Sequence, residues 1–306
     1  MNDACIPGTA GLLKAGLVSC RLCPRACGVD RTSGERGFCG TGAAAEIAGY
    51  EPHFGEEACL VGSGGSGAVF FSGCSLSCVF CQTFQISQMR RGVVVPAGDL
   101  AEIILDLQAR GCHNVNLITP GHQAAVVAEA LEIASGRGLR LPVVYNSGGY
   151  DAIETLQALA GLVDIYMPDF KVWDEAVAGR LLGAGDYPQV TRTALKEMHR
   201  QVGDLVLDGR GLARRGLLVR HLVLPGQLSG TPRILRFLHE EVSSATYLNL
   251  MGHYHPCWRA AEFDGLERPL FREEFDSAVQ AALSIGLRRL DRTHWPLLRT
   301  IFNKGA

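Results

Sequence analysis

The chain has 306 residues, 47% of them hydrophobic, and its 29 Lys and Arg against 31 Asp and Glu leave a formal net charge of -2. That length buries one large core, or one core with a small appendage, and the balanced charge excludes the basic surface by which a nucleic-acid binder holds a polyanion. The opening MNDACIPGTAGLLKAG has neither the charged start nor the apolar run of a secretory signal, and no apolar run approaches the roughly 20 residues of a membrane span; a cytoplasmic chain with no nucleic-acid or membrane partner is expected.

Residues 1–61 are poor in periodic apolar pattern and rich in Cys, Gly and turn residues, which predicts a small cysteine-rich lobe organised by metal rather than by a core. Cys20, Cys23, Cys27 and Cys39 supply four thiolates at C-x2-C-x3-C-x11-C spacing. Structural zinc and a second Fe-S cluster draw on the same ligand set, and both stay open. Arg21, Arg25, Arg31 and Arg36 offset thiolate charge in that reading and are solvated surface residues in the plain one. The stretch GSGGSG at 62–67 reads as a flexible or sharply turning join to a second unit, 62–306, with different patterning.

In that unit Ala68–Phe71 is a short apolar run ending at Cys74, Cys78 and Cys81. Asp99 and Glu102 have capping-box spacing at the head of an apolar-periodic helix closing at Gly111. Val115–Ile118 reads as a buried strand, with Thr119 and Pro120 as the cap and first turn of a helix through Ala134. The strand 141–146 precedes a second capping box, Asp151 to Glu154, and a further strand spans 163–167. Helical stretches near 174–182 and 189–202 lead to a strand at 217–224, a helix from Thr231, a last strand at Tyr247–Leu250 and a helix around 271–285. Short apolar strands alternating with helices predict parallel α/β units. Five or six such units fit a partial (β/α)6 barrel, and an open doubly wound sheet is the alternative. Either fold places the ligand beyond the carboxyl ends of the strands.

Eleven cysteines, seven of them in two tight groups, favour metal ligation over an oxidised scaffold, which is usually a small chain. In FFSGCSLSCVFCQ, Cys74, Cys78 and Cys81 follow the first strand at C-x3-C-x2-C spacing. Three thiolates hold three irons of a cubane and leave the fourth free to chelate a small molecule, unlike a four-thiolate electron-transfer site. Zinc with a distant fourth ligand, or ordinary buried cysteines, are the plain alternatives.

This segment resembles the radical S-adenosylmethionine (SAM) superfamily, whose signature is C-x3-C-x-aromatic-C. The resemblance implies that Cys74, Cys78 and Cys81 hold a 4Fe-4S cluster, that SAM occupies the fourth iron, and that Phe80 lies close to the adenine. More of the chain is similar to the pyruvate formate-lyase activating enzyme branch, notably CRLCPRACGV, YNSGGYDAIETL, VDIYMPDFK, VGDL and RGLLVRHLVLPG. That branch implies an oxidoreductase that activates a glycyl radical enzyme and takes electrons from a donor such as flavodoxin or ferredoxin. The branch's Gly-Gly-Glu motif is replaced by Thr119, Pro120, Gly121 and His122, so the contact to the SAM amino group passes to backbone carbonyls or another side chain.

Asn146 and Ser147, ending a strand before two glycines, suit a ribose or amino-acid moiety, or are a polar turn. Lys171 is placed to meet the SAM carboxylate, as the activating enzyme's similar segment implies, with Asp169 orienting it or touching substrate; a surface ion pair is the bland alternative. Of Arg220 and His221 only one faces the centre, since neighbouring strand residues point to opposite faces. His253 is a SAM ribose contact by resemblance, in a GHYHPCW segment where His253, His255 and Cys257 lack a spacing-defined fourth zinc ligand. Radical modification of a small molecule or peptide, and non-catalytic Fe-S electron transfer, are the other functions the residues leave open.

Overall fold

A computed structural model of the chain describes residues 8–293 and Trp295; Cys5 lies outside them, among the first seven residues. The strands are β1 (Ala45–His53), β2 (Ser66–Phe71), β3 (Val93–Val95), β4 (Val115–Ile118), β5 (Val143–Ser147), β6 (Ile165–Pro168), β7 (Val206–Leu207), β8 (Ala213–Leu222) and β9 (Tyr247–Met251). They form one sheet in the order β3-β1-β2-β4-β5-β6-β8-β7, with β9 also on β8. Successive pairs of β2, β4, β5, β6, β8 and β9 are parallel. Each of these strands is followed by helix: Ala97–Ala109, Ala124–Gly136, Ile153–Ala158, the pair Glu175–Leu182 and Tyr187–Val202, Thr231–Phe237, and Arg272–Ile285. Six parallel β/α units in an unclosed sheet are the expected partial barrel, and they bring six strand ends to one rim. Among the described residues no helix is long and apolar enough to cross a membrane.

The strands are apolar on both faces because both are covered. Tyr145, Tyr166, Leu217 and Val219 join the larger core with the helices. Val144, Ile165, Met167 and Leu218 form a second cluster around Cys59 and Leu60. Those two residues belong to the short helix Ala58–Val61, which fills the hollow of the sheet. Next to it, Arg220 of β8 donates to Glu57 at 2.8 and 2.6 Å and pairs with Glu56. Asn249 of β9 donates to Glu57 (2.7 Å) and Asn116 of β4 to Glu56 (3.0 Å). Burial alone would push the Glu57 carboxyl up, but the Arg220 guanidinium outweighs it and holds it below its ordinary value.

The composition boundary at 61/62 is crossed by the sheet: β1, from the amino-terminal side, pairs antiparallel with β2 and with β3. The glycine-rich join is a sharp turn, with Gly62 and Gly65 at φ of +48° and +82°. Three helix starts differ from the sequence expectation. The helix expected from Asp99 begins two residues earlier, at Ala97 after Pro96, so Asp99 sits in its first turn rather than capping it. Thr119 does not cap a helix; it adopts φ +59° and a short 3₁₀ turn intervenes. Asp151 is diverted from capping by buried hydroxyls, accepting from Tyr145 and Ser147 at 2.8 and 2.7 Å.

Candidate functional site

The loop after β2 carries the second cysteine group and is pinned from several sides. Gly73 has φ +77°, and a Cβ there would lie 2.5 Å from the Cys39 carbonyl oxygen and 2.9 Å from Thr41 Cγ2, so only glycine lets the loop approach the 39–41 segment this closely. The Ser77 and Val79 amides donate to the Leu182 and Leu181 carbonyls at 3.0 and 2.9 Å, at the carboxyl end of helix Glu175–Leu182. Arg25 Nε donates to the Ser75 carbonyl at 2.8 Å, and Gln88 Nε2 to the Leu76 carbonyl at 3.1 Å.

Cys78 is buried, while Cys74 and Cys81 are half-buried. The Leu76 amide donates to Cys74 Sγ at 3.3 Å, and the Ser87 and Thr83 hydroxyls lie 3.1 and 3.6 Å from Cys81 Sγ. Burial pushes the Cys74 thiol up to about 11 and raises Cys78 as well, with the Lys171 charge opposing the rise at Cys78. Such thiols hold their protons at neutral pH until a metal displaces them. Among the described residues no three His, Cys, Asp or Glu side chains converge on a position for a single ion. A cubane takes one thiolate per iron and spreads its ligands, so three thiols on one loop, close to one another and to Lys171, fit such a cluster.

Strand ends β5 and β6 supply the facing wall. Lys171 Nζ bonds Asp169 Oδ2 at 2.5 Å, both side chains largely buried. Burial would lower the Lys171 pKa, but Asp169 and Cys78 outweigh it and hold the ammonium up. The Tyr187 hydroxyl accepts from the Lys171 amide (2.9 Å) and lies 3.0 and 2.9 Å from the Gly148 and Asp169 carbonyls, fixing both strand exits. Gly149, at φ +81°, is required there, since a Cβ would sit 2.2 Å from the Asp169 oxygen. Strand alternation puts Asn146 on the concave face with Val144 and turns Ser147 outward with Tyr145. The Ser147 hydroxyl bonds Asp151 and accepts from the Gly149 amide at 3.1 Å, so it shapes the turn.

Arg220 faces the hollow, and its backbone bridges to Asp169. His221 faces away from it, bonding the Phe170 carbonyl (2.6 Å) and Thr231 Oγ1 (2.9 Å), and burial pushes its pKa down to about 4. His122, in the place of the absent Gly-Gly-Glu motif, is also buried, with Nε2 donating to the Ser72 carbonyl at 2.8 Å. It supports the cysteine loop from behind. The segment after β9 folds over the same loop: the Arg259 amide donates to the Val79 carbonyl (2.9 Å), Tyr254 meets Phe80 edge-on at 6.3 Å, and Cys257 Sγ lies 3.6 Å from the Cys81 carbonyl. His253 is half-buried between β9 and these contacts. A groove of about 290 Å³, lined by Ala48, Gly49, Tyr50, Glu51, Phe70 and Ile86, opens beside the loop, whose Gly73 amide donates to the Ile86 carbonyl.

The structure thus gathers Cys74, Cys78, Cys81, Asp169 and Lys171, places Phe80 and His253 at the flank, and removes Ser147 and His221 from direct contact. Sequence reading missed Tyr187, Ser87 and Gln88, and it set Arg25 beside the amino-terminal thiolates without its bond to the Ser75 carbonyl. Tyr187 opens a helix and nothing in its spacing announces that its hydroxyl reaches two strand ends.

Among curated proteins, the uncharacterized protein MJ0674 of Methanocaldococcus jannaschii is 30% identical over 272 residues, 86% of this chain and 74% of that protein. No family model matches the chain. Among solved structures, TYW1 with a lysine-pyruvate adduct bound aligns over 71% of this chain and 73% of its own (TM-score 0.45, 14% identity). Streptococcus suis SuiB bound to precursor peptide SuiA aligns over 69% and 44% (0.47, 11%). HydG, a maturase of the FeFe-hydrogenase, aligns over 71% and 48% (0.49, 11%).

Proposed function

Because this chain belongs to the family of the uncharacterized protein MJ0674, a name that assigns no reaction, we propose its function from its own site: a radical SAM enzyme. The observation that carries this reading is the juxtaposition of three thiols on the β2 loop with the buried Lys171 and Asp169 at the end of β6. In this reading Cys74, Cys78 and Cys81 hold a 4Fe-4S cluster that, with SAM, supplies one-electron cleavage to methionine and a hydrogen-abstracting 5'-deoxyadenosyl radical. The chain's own residues orient and enclose. Lys171, kept charged by Asp169, faces the cysteine loop where a SAM carboxylate would accept a charge-assisted bond. In the same reading Asn146 on the concave face, His253 after β9 and Phe80 would line the nucleoside. The segment 253–259 closes over the loop and keeps water from the reacting centre.

The hydrogen donor in this proposal is a backbone glycine of a partner enzyme, supported by the extended similarity to the activating-enzyme branch, with flavodoxin or ferredoxin as the electron source. The first test is chemical. Protein reconstituted with iron and sulfide without oxygen, then reduced, is expected to convert SAM to 5'-deoxyadenosine, and Cys78→Ala is expected to lose both the cluster and the conversion. Normal conversion by Cys78→Ala rejects the assignment. The second test supplies candidate glycyl radical enzymes and reads a glycine-centred radical by paramagnetic resonance. Deuterium transfer into 5'-deoxyadenosine from a small molecule or peptide instead would move the function to the modification of that substrate.

A further inference from the structure

Arg31 is 3% exposed, yet its nitrogens meet the Gly42 carbonyl (2.9 Å), the His122 carbonyl (2.7 Å), Thr41 Oγ1 (3.0 Å) and Cys20 Sγ (3.7 Å). Among the described residues no carboxylate lies within ion-pair distance of it. A buried guanidinium without an anion is a standing cost that folded chains avoid. The nearest groups able to become anionic are the amino-terminal thiols. Each of the four sulfurs has a polar group aimed at it: Arg31 at Cys20, the Arg25 amide at Cys23, the Phe38 amide at Cys27 (3.4 Å) and the Thr41 hydroxyl at Cys39 (3.2 Å).

We infer that Cys20, Cys23, Cys27 and Cys39 hold a metal centre whose negative charge is the missing partner of Arg31, and that this centre braces the loop carrying Cys74. A 4Fe-4S core within four thiolates is a net dianion, and its ligands spread over four irons, whereas among the described residues no three such side chains converge on one position as a single zinc ion requires. The link to the loop is direct. Cys39 and Thr41 press on Gly73, and Arg31 holds the carbonyl of His122, whose ring supports Ser72. The two cysteine groups, separate in sequence, are neighbours in space, so emptying the first loosens the loop that forms the second. This last step rests on the reading of Cys74, Cys78 and Cys81 given under Proposed function; the existence of the first centre does not.

The test is metal analysis of four proteins purified without oxygen: wild type, Cys23→Ser, Cys27→Ser at an exposed position, and Cys78→Ala, each checked for folding by circular dichroism. Wild type is expected to carry a second cluster's worth of iron and sulfide beyond the cluster on Cys74, Cys78 and Cys81. Cys23→Ser and Cys27→Ser are expected to lose that increment, and Cys78→Ala to keep it. Protease cleavage within 72–83 is expected to rise at least several-fold in Cys27→Ser. Loss of all metal from Cys78→Ala, or both amino-terminal variants retaining the full metal content, overturns the inference. An unchanged cleavage rate after loss of the increment overturns the bracing. Loss of metal in the amino-terminal variants with none lost in Cys78→Ala upholds this centre while removing the one under Proposed function.

Discussion

Lys171 is the residue on which SAM affinity should turn most directly, because its ammonium is buried beside the cysteine loop and ion-paired with Asp169. Lys171→Met keeps much of the stem and removes the charge. The cluster should persist while SAM binding, followed by calorimetry, weakens about 10- to 100-fold, the equivalent of a hydrogen bond to a charged group. Tyr187→Phe works one step back. It strips the hydroxyl from the Lys171 amide and two carbonyls, so stability in urea should fall by about 1–3 kcal/mol. Thr119 offers the opposite sign. A β-branched residue at φ +59° is strained by about 1–2 kcal/mol, and Thr119→Asn, which tolerates that region, should raise stability by about 1 kcal/mol.

At the scale of elements, β8 shows how alternation divides roles. Arg220 enters the hollow and ties β4, β9 and the helix Ala58–Val61 together through Glu56 and Glu57, whereas its neighbour His221 is locked among the helices. Arg220→Met leaves two buried carboxylates without their cation and should cost about 3–5 kcal/mol in urea unfolding. The six parallel strands were legible because each is a short apolar run bounded by turn residues and covered on both faces, and the cysteine loop because thiol spacing survives without tertiary information. The helix caps were not. Asp99 and Asp151 stand at correct spacing, but backbone entering from Pro96 starts one helix early, and buried hydroxyls of Tyr145 and Ser147 outcompete the amides for Asp151. Nor could spacing place helix Ala58–Val61 inside the sheet or bring Cys39 onto Gly73, since both depend on how β1 folds back beside β2.

For the whole molecule, stability should depend on acid through its buried histidines. His221 is neutral in the native state, held to about 4 by burial, and takes up a proton near its ordinary value of 6.5 once unfolded. The unfolded chain therefore binds more protons between these values. Stability is full above about pH 6.5 and declines toward pH 4, by on the order of 3 kcal/mol for this residue, and His122 adds to the same slope. Urea titrations across pH 4–7 should show the decline, and His221→Asn should flatten it; an unchanged slope would place the histidine elsewhere. The path of the chain around the cysteine loop has a consequence for biosynthesis. All seven clustered cysteines leave the ribosome within the first third of the chain, yet Val79 and Phe80 wait for Arg259 and Tyr254, which emerge near the end. The loop is consequently exposed to oxygen and to adventitious metal during most of translation. A nascent chain stalled at residue 245 should bind iron loosely and surrender it to a mild chelator, while the released protein retains it.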